Sequence, residues 1–416
     1  MYLTHLSLTN FRNFSRLDAE VPRGPILLVG GNAQGKTSLL EAIYFLATLV
    51  SFHTSSDREL INFLTSREPL AVARIVADYR REATPYASAS DHHLEIRVIQ
   101  EAVTDYNGTP RVRKEILLDG VKRRATEVIG AFNAVLFLPQ MMRVVEGSPE
   151  NRRRYLNLVM AQAVPQYALA LSEYSKLLSQ RNALLKQLYE RGGDAEELSF
   201  WDQQLAAVGA RIIYDRVQAI RQLEKLATRI HNELTRDQEV LRLDYQPAFD
   251  PLPRKPLQYA LPLEAPLDRS GLSLESMQRS FLGALERLRR EEIARGVTTI
   301  GPHRDELRFL GNGIDLGTYG SRGQGRTAML SMKLAEVLWM KEKTGQWPVL
   351  LLDEVLAELD PERRVDLLAR LSASEQSLLT TTDLDLFVPE FVADASIWQV
   401  RNGRIEDVQQ GAESPF

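Results

Sequence analysis

Gly30-Gly31-Asn32-Ala33-Gln34-Gly35-Lys36-Thr37 sets glycines, a lysine and a hydroxyl at the spacing GxxxxGK[ST]. Glycines let successive backbone N–H groups curl around a phosphate, and a helix N-terminus behind them adds its positive dipole. Lys36 is placed to reach the β- and γ-phosphates of a nucleotide, and the Thr37 hydroxyl to ligate Mg²⁺. The flanks suit that chemistry. Ile26–Gly30 is a short apolar run of the kind that forms a strand buried on both faces. Lys36–Ala47 carries Leu39, Leu40, Ile43, Tyr44 and Ala47 at helical spacing.

A second constellation lies far downstream. Pro348–Leu352 is an apolar run that ends in Asp353 and Glu354, the pattern of a strand presenting two acids to a phosphate site. Asp353 is expected to hold Mg²⁺ through water, and Glu354 to accept a proton from, or orient, the attacking water. The plainer alternative is a strand end with two solvated acids. Lys36 and Asp353 are 317 positions apart, too far for a compact GTPase-like domain.

Between them stands Ser321-Arg322-Gly323-Gln324, ahead of a helical stripe of Met329, Met332, Leu334 and Val337. By itself the quartet reads equally well as a helix cap and turn. It is similar to the tail of the LSGGQ signature of ABC-type ATPases, where the serine and backbone amides reach the γ-phosphate held by the opposite subunit. It lies 32 residues before Asp353, and Glu358-Leu359-Asp360 follows as a D-loop. Together these features predict an α/β fold, an ABC-type P-loop ATPase head of mixed sheets around a central helix.

The elements between the two halves are helical. Leu171, Tyr174, Leu178, Arg181, Leu185 and Leu188 fall at near-heptad spacing. Gly192-Gly193 breaks the run, and Ile213, Ile220, Leu223, Ala227, Ile230 and Leu234 mark a second helix. The pair predicts a helical insertion lobe or short antiparallel arm. Residues 247–266 are proline-rich and read as loop, and a third helix is expected from about Ser273 to Arg295. Asp119-Gly120 and Asn402-Gly403 are hairpin turn signals. The expected division is 1–147 and 297–416 as the two parts of the head, with 148–296 as the lobe.

Composition excludes several classes. Charged residues make up 25% of 416 residues and hydrophobic ones 44%, with a net charge of −4. That is the profile of a globular protein, and any nucleic acid must be met by a local basic patch. With no cysteine, structural disulfides, Cys-ligated zinc and thiol catalysis are all excluded. No stretch reaches the ~18 apolar residues of a membrane span, and the opening MYLTHLSLTNFRNF lacks the apolar core of a signal peptide. A cytoplasmic protein with no membrane partner is expected.

Several motifs are more particular than the general ATPase pattern: LSLTNFRNF at the start, DRELI at 57–61, EGSPENRRRYLN at 146–157, KLLSQRNALLKQ at 176–187, GPHRDEL at 301–307 and LLLDEVLAELDPERR at 350–364. Over nearly its whole length the chain resembles the RecF family, bacterial recombination-mediator and gap-repair ATPases. The resemblance implies ATP and Mg²⁺ as cofactors and dimerisation on ATP binding. The dimer would clamp double-stranded, gapped or junction DNA, and hydrolysis would release it. RecR is implied as partner, with RecO and RecA in the pathway, in support of recombinational repair, replication-fork maintenance and the SOS response. It also implies that Arg12 approaches the nucleotide phosphates, against the alternative of a solvated loop arginine. It implies too that Ser321, Arg322, Gly323, Gln324 and Asp360 act in trans. Where the family has Pro-Glu, this chain has Pro139-Gln140. A glutamine there matches other ABC-type Q-loops and implies contact with Mg²⁺ or the attacking water. No histidine follows the strand at 377–381, leaving Thr381 or Thr382 in its place, and the loops at 81–93 and 247–266 are longer than usual.

Two basic clusters are candidates for DNA contact. Lys122, Arg123 and Arg124 join Arg111, Arg113 and Lys114 around the Asp119-Gly120 turn, and Arg152, Arg153 and Arg154 open the lobe. A merely solvated charged surface is the alternative for both. His303 in GPHRDE has no second ligand at metal spacing and reads as a structural turn residue. Three rivals remain at this level. A transporter ATPase has its signature much nearer the phosphate loop than the 285 positions from Lys36 to Ser321. A chromosome-scaffold or zinc-hook ATPase needs far longer coiled coils or an apical cysteine pair. A DNA-binding module using ATP only as a structural ligand differs in its kinetics alone.

Overall fold

The computed structural model describes residues 1–85, 87–104, 110–252 and 268–409. Most of the proline-rich 247–266 segment lies outside them. Along the chain run β1 (Tyr2–Phe11), β2 (Phe14–Glu20), β3 (Gly24–Val29), β4 (Ala71–Arg81), β5 (Ser90–Thr104), β6 (Pro110–Leu118), β7 (Val121–Arg123) and β8 (Ala134–Phe137). After a helical stretch come β9 (Leu241–Gln246), β10 (Glu306–Gly311), β11 (Ile314–Asp315), β12 (Val349–Asp353), β13 (Gln376–Thr381), β14 (Ser396–Arg401) and β15 (Arg404–Gln409). The chain divides into two compact units, residues 1–140 with 340–416, and residues 141–339.

The first unit contains two six-stranded sheets. One is antiparallel in the order β2-β1-β4-β5-β6-β7. The other has the order β15-β14-β3-β13-β12-β8, parallel from β14 to β8 with β15 added antiparallel at one edge. Ile26, Leu27, Leu28, Leu350, Leu351, Leu378 and Leu379 are buried in this second sheet, as expected for strands covered on both faces. The helix Lys36–Thr48 touches β8, β12 and β13 of the parallel sheet and β4 of the antiparallel one. Ten of its thirteen residues are buried, so it is a central helix with an apolar surface nearly all round. Both Asx-Gly signals are hairpin turns in the left-handed region. Asp119 and Gly120 have φ of 53° and 77°, Asn402 and Gly403 of 46° and 69°, the type I′ pattern. The expected loop at 81–93 is shortened at both ends by strand, since β4 extends to Arg81 and β5 begins at Ser90.

The second unit is built on the helices Pro149–Ala163, Tyr167–Arg191, Leu198–Thr235 and Leu274–Arg295. The expected antiparallel pair is joined by the third helix, which packs on both. Ser273 caps that helix by accepting from Ser276 N, and Gly296 ends it at φ 63°. The lobe is not purely helical. It carries the antiparallel sheet β11-β10-β9, with β9 against the helix Leu198–Thr235 and β10 against Pro149–Ala163. Because β10 pairs with β9, residues 297–339 belong to this unit, and its far boundary lies at 339/340 rather than the expected 296/297.

Buried ion pairs organise this lobe. Arg181, on the apolar stripe of its helix, is fully buried and donates to Asp202 at 2.7 Å and Glu292 at 2.6 Å. Arg216 donates to Asp305 at 2.6 Å, and the Tyr245 hydroxyl also donates to Asp305. His303 sits beside the Tyr174 hydroxyl at 2.9 Å, and burial pushes its pKa down to about 4. The GPHRDE segment is therefore a structural clasp, with His303 as the turn residue anticipated from sequence.

Candidate functional site

β3 ends at Val29 and delivers the chain into the phosphate loop. Gly30 lies so close to β14 that a Cβ there would stand 2.4 Å from the Val400 carbonyl oxygen, and Gly35 has φ 118° with Asn13 Nδ2 2.6 Å from a notional Cβ. Neither position tolerates a side chain. The loop is held from outside. Asn13 Nδ2 donates to Gln34 O at 3.0 Å, as does Gly403 N at 2.9 Å, and Asn402 N donates to Gln34 Oε1 at 2.8 Å. Gln34 thus gives both its oxygens to the β1–β2 turn and the C-terminal hairpin, while its Nε2 donates to Asn32 O within the loop.

A cleft of about 1100 Å³ opens over this loop, lined by Arg12, residues 31–38, Asp353 and Glu354, with one wall from residues 58–66. Lys36 is 4% exposed; its ammonium donates to the Gly30 and Gly31 carbonyls at 2.6 and 3.1 Å and stands 3.7 Å from Glu354 Oε1. Parallel pairing sets β12 beside β13, with Asp353 opposite Thr380. Asp353 Oδ1 accepts from both Thr37 Oγ1 and Thr380 Oγ1 at 2.8 Å. The Thr380 oxygen also accepts from Glu354 N at 2.9 Å. Glu354 has φ 52°, a left-handed conformation that costs a non-glycine residue of order 1 kcal/mol or more and turns its half-exposed carboxylate toward the cleft.

Gly30, Gly31, Asn32, Ala33, Gln34, Gly35, Lys36, Thr37, Asp353 and Glu354 are therefore gathered in one place. Thr380 is the residue that sequence reasoning missed. The expected stand-ins were Thr381 and Thr382, but Thr381 Oγ1 donates to Asp383 O at 2.7 Å in a local turn. Arg12 lines the cleft yet forks onto buried Glu41, with both contacts at 2.7 Å, and donates to Glu59 O at 2.9 Å. Gln140 is exposed in the turn after β8; Phe137 pairs with Leu352, which brings Gln140 to the same end of the sheet, but it is not on the cleft wall. Asp360 caps the helix Pro361–Leu371 by accepting from Arg363 N at 3.0 Å.

In the other unit the signature quartet opens the helix Arg322–Thr344. Gln324 N donates to Ser321 Oγ at 3.2 Å, and Ser321 N donates to Gln324 Oε1 at 3.0 Å, a reciprocal cap of the capping-box kind. Ser321, Arg322 and Gly323 are exposed. Of the basic candidates, Arg152 is committed to Glu306 at 2.7 and 2.8 Å and to the Gly147 carbonyl, and Arg153 donates to Asp305 O. Both hold the GPHRDE clasp and are partly buried. Lys122 pairs with Glu115 at 3.1 Å and Arg124 with Glu127 at 2.9 Å, both lysine and arginine being exposed; Arg123 and Arg154 are exposed as well.

A phosphate loop on a parallel sheet, a distant acidic strand end beside it and an antiparallel sheet across the central helix define a P-loop ATPase of the ABC and SMC head class. The family model described as RecF/RecN/SMC N terminal domain matches residues 2–397. The chain is 40% identical to the DNA replication and repair protein RecF of Chloroflexus aurantiacus over 97% of this chain and 99% of that protein, and 37% identical to its Bacillus subtilis counterpart over 97% and 100%. A solved structure described as the recombination mediator protein RecF-ATP in the RecFOR pathway superposes with a TM-score of 0.79 at 29% identity, covering 98% of this chain and 97% of that one. The chain belongs to the RecF family of DNA replication and repair proteins, ABC/SMC-like ATPases.

Proposed function

We propose that the protein is a slow, DNA-associated ATPase in which the nucleotide acts as a switch. The observation that carries this is the cleft itself, where Thr37 and Thr380 converge on Asp353 while buried Lys36 stands 3.7 Å from Glu354. ATP bound on residues 30–37 meets Lys36 and the backbone amides of the loop. The hydroxyl of Thr37 and the carboxylate of Asp353 are a hard oxygen donor set that fits Mg²⁺; bound there, the ion supplies charge neutralisation to the β- and γ-phosphates. Glu354 is the group placed to orient the attacking water and take its proton. Gln140 joins that role if the turn after β8 closes over nucleotide, and Arg12 contacts phosphate only by leaving Glu41.

Ser321, Gly323 and the helix N-terminus behind them present donors to the γ-phosphate of a second copy, and Asp360 is a further residue that acts in trans. ATP thereby favours a homodimer through its differential affinity for the closed state, and the dimer clamps duplex, gapped or junction DNA. Lys122, Arg123 and Arg124, with Arg152, Arg153 and Arg154 at the start of the lobe, are the candidate DNA contacts; the first three and Arg154 are the exposed ones. The relatives' pathway supports RecR as partner, with RecO and RecA acting alongside in the cytoplasm.

Glu354→Gln tests the reading. The amide keeps the shape but cannot accept a proton, so turnover is expected to fall by at least about a hundredfold. ATP binding is expected to persist and the dimer on DNA to live longer. Undiminished turnover would assign the base elsewhere.

A further inference from the structure

We propose that Glu239 is a positioning residue for the signature loop, holding it through Gln324 from the end of the helix Leu198–Thr235. This rests on the reading that the loop serves a nucleotide held by a second copy. Gln324 Nε2 donates to Glu239 Oε1 at 3.0 Å. With Oε1 accepting from Ser321 N and the backbone N–H given to Ser321 Oγ, the Gln324 amide is turned to its own protein rather than outward to phosphate. Ser321 Oγ is used as an acceptor, which leaves its proton for an outside oxygen.

A second polar route leads back to the same loop. Glu239 Oε2 faces fully buried His231 Nε2 at 3.4 Å, and His231 Nδ1 lies 3.1 Å from Ser331 Oγ. Ser331 Oγ donates to Thr327 O at 2.7 Å, and Thr327 Oγ1 donates to Gly323 O at 2.9 Å. Glu239 itself is placed by backbone geometry. Arg236 and Asp237 end the helix at φ 53° and 60°, and Asn312 Oδ1 accepts from Val240 N at 2.9 Å. Ser321, Arg322 and Gly323 are exposed, so the aim of their donors depends on these struts. A charge-assisted hydrogen bond is among the stronger ones in a protein, and its loss leaves the loop to sample many orientations. The long helix thereby reports its C-terminal position to the seam.

The test measures three quantities on the full chain: ATP affinity of the monomer, ATP-driven dimerisation by sedimentation, and thermal unfolding. Glu239→Ala is expected to weaken ATP-driven dimerisation about tenfold while monomer affinity stays within about twofold. Gln324→Glu, which sets two carboxylates face to face, is expected to do the same. Adding Glu239→Gln to Gln324→Glu restores an amide-to-carboxylate bond of reversed polarity and is expected to recover dimerisation, a rescue that general loosening would not produce. Ser321→Arg serves as reference. If it abolishes dimerisation while Glu239→Ala dimerises like wild type, or if the double variant is no better than Gln324→Glu alone, the positioning role is overturned. If Ser321→Arg itself dimerises normally, the failure lies in the trans-acting signature instead.

Discussion

Asn402 and Gln34 stand 368 positions apart, and the backbone N–H of one donates to the side-chain oxygen of the other at 2.8 Å. The next residue, Gly403, donates to the Gln34 carbonyl at 2.9 Å. The chain's last hairpin is thus a strap on its first functional loop. It fixes the backbone of residues 30–37, which on the proposed reading presents N–H groups to phosphate, so that the ordering entropy of that loop is met before any ligand arrives.

Two glycines in matching turns test the strap. Gly120 and Gly403 both follow an Asx residue at positive φ, but a Cβ at Gly120 meets open space, whereas at Gly403 it would stand 2.2 Å from the Asn13 carbonyl oxygen. Gly120→Ala is expected to cost about 1 kcal/mol from backbone strain alone. Gly403→Ala is expected to cost at least twice that and to weaken ATP binding, because Asn13 and Gln34 must shift together. Thermal unfolding and nucleotide titration of the two variants separate the effects; equal losses in ATP affinity would rule the strap out.

Thr380 offers a sharper kinetic test. Its hydroxyl bridges the Asp353 carboxylate and the Glu354 amide, so Thr380→Val keeps the strand and the volume while leaving both acids less constrained. Turnover is expected to fall about tenfold with ATP affinity changed by less than threefold, and Thr380→Ser to restore most of it. Single-turnover kinetics beside equilibrium binding would show the split. A Thr380→Val enzyme as fast as wild type would reduce the residue to packing.

What the sequence made legible follows from the range of the signal. The phosphate loop, the acidic strand end and the two Asx-Gly turns are local patterns whose residue types are dictated by φ, by a helix terminus or by direct contact with a ligand. Thr380 carries no such mark: its role comes from the register of β12 against β13, which aligns it with Asp353. Arg152 looked like surface charge because its neutralising partner, Glu306, lies 154 positions away. β9 is unmarked in sequence for the same reason, since its pairing with β10 makes Leu241–Gln246 a strand and joins β10 to the second unit.

His303 gives the lobe a pH dependence. Burial lowers its pKa to about 4 from the ordinary 6.5, with the nearby arginines adding to the shift. Between those two values the unfolded chain binds a proton that the folded chain does not, so stability rises with pH across that window and is lost as pH falls from 6.5 to about 4. The full contribution amounts to at most about 3 kcal/mol. Denaturant unfolding of wild type and His303→Gln at pH 7.5 and 5 is expected to show a smaller acid loss in the variant. An identical loss in both would place the acid sensitivity elsewhere.

On the proposed reading the cleft is completed by a second copy of the chain. Lys36 is buried in the cleft; on that reading it neutralises phosphate charge there, and Lys36→Ala is expected to lose ATP binding because backbone amides alone cannot replace a buried ammonium. Ser321 is exposed at a helix N-terminus, where arginine is expected to block approach of a second molecule without disturbing nucleotide binding by the monomer. Each variant alone is therefore expected to lack ATPase activity, for different reasons. In a mixture, a heterodimer can pair the intact loop of the Ser321→Arg chain with the intact signature of the Lys36→Ala chain, giving one composite site. The other site in the same heterodimer carries both lesions. Partial recovery of turnover on mixing is expected, at no more than about half the wild-type rate even if every molecule formed heterodimers. Because the arginine intrudes only at the damaged site, recovery should rise with Lys36→Ala in excess, which drives the Ser321→Arg chain into mixed pairs. Mixing curves followed by phosphate release, with sedimentation in parallel, read this out directly. Activity that never exceeds the sum of the two variants, while heterodimers are present in the sedimentation profile, would mean that each chain completes its own site.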